Sequence, residues 1–181
     1  IALFTPYDFI ISDDAKRIAY RSESGRWAML RGDVDSFEAE IWLRSQGQEV
    51  MLSRKEALAA FPELRCDKTT CMIERAGKTI VAVISSSRRK SGSSANKEMD
   101  SGLRRNDDVC ASGADILITS QYLTCDSIPH LIDRAFVEER GATALRFAEG
   151  VIELSTSQEL RGAWPWAQGK KYDRDDQAET P

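Results

Sequence analysis

Short apolar runs separated by turn residues open the chain. Ala2–Phe4, Phe9–Ser12, Arg17–Arg21 and Arg26–Leu30 are broken by Pro6, by Asp13-Asp14 and by Glu23-Ser24-Gly25. This spacing predicts a β meander folded into two hairpins. Helical periodicity follows. Asp35 or Ser36 can cap a helix whose apolar positions Phe37, Ile41, Trp42 and Leu43 form one stripe, expected to pack on the core, with Gly47 as its stop. A second helix starts at Ser53-Arg54-Lys55-Glu56, a reciprocal capping box, and carries Ala57, Leu58 and Phe61 to Pro62.

Two strands are expected next, Cys71–Glu74 and Thr79–Ile84, joined across Arg75-Ala76-Gly77-Lys78. The second, TIVAVI, is apolar without interruption and β-branched, the composition of a central strand covered on both faces. Residues 85–108 then break the pattern. This basic, Ser/Gly-rich stretch has only Met99 and Leu103 as sizeable apolar side chains, too little to offset the entropy of ordering. It is expected to be a disordered insertion, and MDSGLRRNDD within it resembles the translated product of a mobile palindromic repeat of bacterial genomes. Regular structure resumes with a buried strand at Ala114–Thr119, a short strand at Leu131–Asp133 with His130 in the turn before it, a helix over Arg134–Arg140 stopped by Gly141, and a hairpin of Thr143–Phe147 with Val151–Ser155. The whole predicts an α/β or α+β domain: a layered β-sheet with flanking helices over residues 1–166, then a polar tail, 167–181.

Composition limits the chemistry. The 181 residues suit one domain, and a net charge of −4 offers no global attraction to nucleic acid or anionic lipid. No window reaches the ~20 apolar residues of a spanning helix, and the start lacks a signal-peptide pattern. Ile1 stands where an initiator methionine is expected, which suggests a piece of a longer protein. His130 is the only histidine, so a zinc centre built on two or three imidazoles cannot form within this chain.

Cys66, Cys71, Cys110 and Cys125 can be buried free thiols, disulfides or, less suitably spaced, a structural zinc site. Free thiols are the leading expectation, although the CDKTTC loop can close a local disulfide. Asp115 and Asp133 flank apolar strands; capping or salt bridging, including an Asp133–Arg134 pair, is favoured over magnesium binding. His130 is expected to be a surface or hydrogen-bonded residue, and Cys71 an inert thiol because only His130 could activate it. Arg161, Trp164 and Trp166 in RGAWPW can stack single-stranded bases or meet a neighbouring domain, but packing is favoured.

The order FEAEIWLRSQG, CDKTTC, TIVAVI, ADILITSQYLTC, LIDRAFVEERGATAL, RGAWPW resembles the C-terminal soluble region of ComEC-type competence proteins. The likeness covers roughly residues 5–166 apart from the insertion. These are inner-membrane channels that admit one DNA strand during natural transformation, many with a metallo-β-lactamase-like domain at the C-terminus. ADILITSQYL is similar to the lactamase-like strand that runs into a histidine pair, but here Ser120-Gln121-Tyr122 occupies that place. The resemblance therefore implies a degenerate metallo-β-lactamase-like fold without catalytic, cofactor-binding or metal residues. It also implies the membrane channel portion of a parent protein as partner, single-stranded DNA as a second candidate, and inner-membrane association through the parent. An active lactamase-like hydrolase or nuclease, a single-stranded DNA-binding module and a decaying gene remnant are the alternatives.

Overall fold

The computed structural model describes residues 6–85, 109–148 and 150–161. It is an α+β fold of two layered sheets. The first sheet contains β1 (Phe9–Ile11), β2 (Ile18–Arg21), β3 (Trp27–Arg31), β4 (Met51–Ser53), β10 (Thr143–Ala148) and β11 (Val151–Thr156), in the order β11-β10-β1-β2-β3-β4. The second contains β5 (Leu64–Cys66), β6 (Thr70–Arg75), β7 (Lys78–Val83), β8 (Ile116–Ile118) and β9 (His130–Ile132), in sequence order. Pairing is antiparallel except for β3 with β4, β7 with β8 and β8 with β9. The helices are α1 (Phe37–Ser45), α2 (Arg54–Ala60), α3 (Arg134–Arg140) and α4 (Ser157–Arg161).

Strand alternation explains the layers. Phe9, Ile11, Ile18, Tyr20, Ala28 and Leu30 point from the first sheet into a shared core. Ile73, Ile80, Ala82, Ile116, Ile118 and Ile132 meet them from the second. The intervening residues serve the outer faces: Ile10, Ala19, Trp27 and Met29 pack under α1, while Val81, Val83 and Leu117 pack under the 109–128 segment. Strands buried on both faces must be apolar throughout, as β7 is. Each Ile or Phe buried in the central core contributes about 1.5–3 kcal/mol of transfer free energy.

Local signals act where the sequence places them. Ser36 caps α1, and Gly47 ends it with the paired bonds Gln48 N–H to Leu43 O and Gly47 N–H to Arg44 O that define a left-handed C-terminal turn. The Ser53–Glu56 capping box is present in both directions. The α1 stripe, however, is turned. Phe37 and Ile41 are 73% and 46% exposed, and Leu58 of α2 is also exposed, while Ala39 and Leu43, with Trp42 half-buried, face the sheet. A small Ala39 lets the helix sit close to Trp27 and Met29, and that close packing outweighs the larger side chains of the opposite face. β4 and β5, three residues each and flanking α2, are strands the apolar pattern does not announce. The first expected strand, Ala2–Phe4, all but the first residue of the expected insertion over 85–108 and the expected tail, 167–181, lie outside the described residues.

Arg75 pairs with Lys78 across a two-residue turn in which both Ala76 and Gly77 have positive φ, 52° and 72°. That conformation suits Gly or Asn at both places; an alanine there is strained by roughly 1–2 kcal/mol. Ala76→Gly is therefore expected to stabilise the domain by about 0.5–1 kcal/mol, read as a raised urea midpoint at unchanged m-value. A lowered midpoint contradicts the turn assignment.

Candidate functional site

The three parallel strands β7, β8 and β9 end on the same edge of the second sheet, and β3 of the first sheet ends beside them. In open α/β sheets ligands bind beyond the carboxyl ends of strands where the strand order reverses; this sheet runs in sequence order, so the site here rests on its side chains. At this edge Arg31, the last residue of β3, crosses between the sheets. Its Nη1 donates to Ser120 Oγ at 2.7 Å and to the Val83 carbonyl at 3.3 Å. Arg31 is half-buried, and among the described residues it forms no ion pair. Burial pulls its pKa down, an effect opposed by the charge of Asp14.

Asp14 belongs to the β1–β2 turn. Ser12 Oγ donates to Asp14 Oδ1 at 2.6 Å, and the Lys16 amide does so at 2.9 Å. Burial alone would raise the Asp14 pKa, but these hydrogen bonds and the Lys16 ammonium bring it below the ordinary value.

The segment after β8 is held by backbone accounting. Thr119 N–H bonds to Ile132 O, extending the ladder by one step, and Gln121 N–H turns back onto Thr119 Oγ1 at 3.2 Å. Asp133 fixes the next step from the far side. Its Oδ1 caps α3 by accepting from Phe136 N–H at 2.8 Å, and its Oδ2 accepts from Leu123 N–H at 3.1 Å. Tyr122 OH donates to Glu138 at 2.7 Å, and Arg134 donates to the same carboxylate and lies over the Tyr122 ring.

The sequence-derived candidates do not gather. Asp115 precedes β8, where it accepts from the Thr79 amide at 2.8 Å and from Lys78 Nζ at 3.3 Å. The Thr79 amide, then Lys78, depresses its pKa. Asp133 follows β9, about 13 Å away along the strand direction by register, so the two carboxylates cannot share an ion. The Asp133–Arg134 ion pair is not formed: Asp133 caps and Arg134 pairs with Glu138. His130 opens β9 instead of lying in a turn, its amide bonded to Asp115 O at 3.2 Å.

The favoured free thiols are also corrected. Cys66–Cys71 and Cys110–Cys125 are disulfides, with Cα–Cα separations of 4.0 and 5.4 Å, and among the described residues no cysteine is free. Cys66 and Cys71 face each other in the register of β5 and β6, and Asp67 braces the loop between them. Amides of Thr69 and Thr70 hold Asp67 ionised, with its pKa lowered to about 2. A nucleophilic Cys71 is thereby ruled out for this oxidised form, since both of its valences at sulfur are occupied. The Arg161 side chain, Trp164 and Trp166 lie outside the described residues.

Arg31 is the residue that sequence reasoning passed over. A charge closing the strand WAMLR reads as a solvated end, and only the packing of two sheets brings it to Ser120. The resulting donor set does not fit the zinc of lactamase-like proteins. Among the described residues no three His, Cys, Asp or Glu side chains converge, and a divalent ion at this edge would meet a guanidinium of like charge. What the edge can do is present N–H donors and a hydroxyl to a negatively charged group. Among the described residues, no helix is long and apolar enough to cross a membrane. Compared with protein-family models, with curated proteins and with solved structures, the chain matches none.

Proposed function

We propose that this domain is a non-catalytic soluble module of a ComEC-like DNA-uptake protein, working as a scaffold beside the membrane-embedded channel of its parent. One observation carries the reading. The segment ADILITSQYL is similar to a lactamase-like strand that runs into a histidine pair; in this chain it runs instead into Ser120, which accepts from Arg31. A built-in guanidinium at the strand ends supports a degenerate member of that fold, with its core kept and its metal chemistry given up. The two layered sheets are compatible with the same descent. Both disulfides favour an oxidising compartment, which supports a reading with the module on the outer side of the inner membrane.

The test is genetic and biochemical. In the source bacterium, in-frame removal of the region encoding residues 6–161 is expected to lower transformation frequency at least tenfold while DNA still adheres to the cells. Purified domain is expected to leave single- and double-stranded DNA intact with Zn²⁺ or Mn²⁺. Unchanged transformation overturns the role in uptake. Cleavage that EDTA abolishes overturns the non-catalytic reading.

A further inference from the structure

The two ends of the sandwich are tied by arginines in different ways. At one end Asp8, only 3% exposed at its side chain, accepts from Arg21 of the first sheet at 3.0 Å and from Arg75 of the second at 2.8 Å. There the buried positive charge faces a buried negative one. At the other end Arg31 makes the same crossing with neutral partners only, one hydroxyl and one carbonyl. Desolvating a guanidinium without a counter-charge is costly, and a tie between sheets does not require it, as Asp8 demonstrates.

The way Arg31 is held matters as much as its charge. Both of its hydrogen bonds use Nη1, so the Nε–Nη2 edge has no acceptor among the described residues. That edge is the fork that binds planar or tetrahedral oxyanions with two parallel N–H···O bonds. Ser120 Oγ, fixed by Nη1, keeps its own proton to donate. Arg54 donates from Nη1 to the carbonyl of Leu30, the residue before Arg31, at 3.3 Å and forms no ion pair among the described residues. Asp14 is the negative group whose field reaches Arg31, and it also pairs with the exposed Lys16 at 3.4 Å.

We infer that Arg31 and Ser120, at the carboxyl ends of β3 and β8, form a metal-free binding site for a tetrahedral oxyanion of the phosphate class. The site needs no divalent ion because the protein supplies the cation. The same chemistry can come from free phosphate or from a phosphodiester, and the inference holds whether or not the proposed role in DNA uptake does.

Titration of the oxidised domain with inorganic phosphate, at constant ionic strength and with EDTA present, is the direct test. Amide shifts in ¹⁵N-resolved NMR are expected to saturate in the millimolar range, centred on Arg31 and residues 119–121. A parallel titration with a short oligothymidylate and its uncharged methylphosphonate analogue separates the two sources. Saturation by phosphate identifies a free-anion site. Saturation only by the charged oligonucleotide identifies a phosphodiester site.

Arg31→Met is expected to weaken binding at least tenfold, and Arg31→Lys severalfold. Asp14→Asn keeps the acceptor for Ser12 and Lys16 yet removes the competing charge, so it is expected to tighten binding two- to fivefold. That gain is an effect a purely structural Arg31 would not produce. Absence of saturable shifts with both phosphate and the charged oligonucleotide on the wild-type protein overturns the inference, as does equal binding of the uncharged analogue or an Asp14→Asn variant that is folded and binds no tighter.

Discussion

Replacing Asp8 by alanine is expected to cost about 3–5 kcal/mol, enough to remove much of the stability of a domain this size. The carboxylate is buried, and it is the one acidic partner of both Arg21 and Arg75 among the described residues. Its second oxygen accepts from the Phe147 amide at 2.8 Å, joining β10 to the same point. Removal strands two half-buried guanidinium groups and one amide. Arg75 is further fixed by a bond to the Arg21 carbonyl and by stacking over the Tyr20 ring, so it cannot swing freely into water. Asp8→Asn keeps one acceptor oxygen but sets an NH2 donor against either the arginines or the Phe147 amide and loses the charge, so most of the penalty is expected. Urea denaturation of the three proteins measures this. Near-equal midpoints for wild type and Asp8→Ala would mean that the two sheets are held by apolar packing alone.

That contrast bears on which parts of the protein the chain spells out. Strands separated by Asp, Gly and Pro were legible because each run is short and each break has a backbone reason, as at Asp13-Asp14 and Gly25. β7 was legible as a central strand because a strand covered on both faces tolerates no polar position. Caps were legible because Ser53 and Glu56 act over three residues. What was hidden depends on contacts between distant segments. The face of α1 is hidden because the large Phe37 and Ile41 lie away from the sheet, while the helix rests on Trp27 through the small Ala39. β4 and β5 were hidden since three residues carry no period. Asp8 and Arg31 each read as ordinary charges at strand ends. Their roles arise from the second sheet, and nothing local in the first announces it.

The cysteines show the same limit from the other side: spacing allowed three pairings, and the fold selects one. CDKTTC became a hairpin whose two ends are neighbours in register, which gives its disulfide a local origin. Cys110 and Cys125 meet only because both lie on the outer face of the second sheet, packed with Val81, Val83 and Leu117. This second bridge joins the segment that leads into β8 to the loop that leaves it, so it braces the approach to Ser120.

Reduction of both bridges is accordingly expected to be the largest single chemical perturbation. In the chain-entropy account, a loop the length of Cys110–Cys125 contributes about 3 kcal/mol and the short Cys66–Cys71 loop about 2 kcal/mol. Their sum, about 5 kcal/mol, lowers the melting temperature of a domain this size by roughly 10–20 °C. The two bridges should not fail alike. The Cys66–Cys71 hairpin keeps the Asp67 bonds and its place beside β7, so Cys66→Ser with Cys71→Ser should leave residues 109–128 undisturbed. Cys110→Ser with Cys125→Ser should instead loosen the outer cover of the second sheet, seen as faster amide exchange at Leu117, Thr119 and Ser120. Melting curves with and without reductant, with thiols counted by mass after alkylation, decide the matter. An unchanged melting temperature after complete reduction would show that packing of the two sheets, without the bridges, sets the stability of this domain.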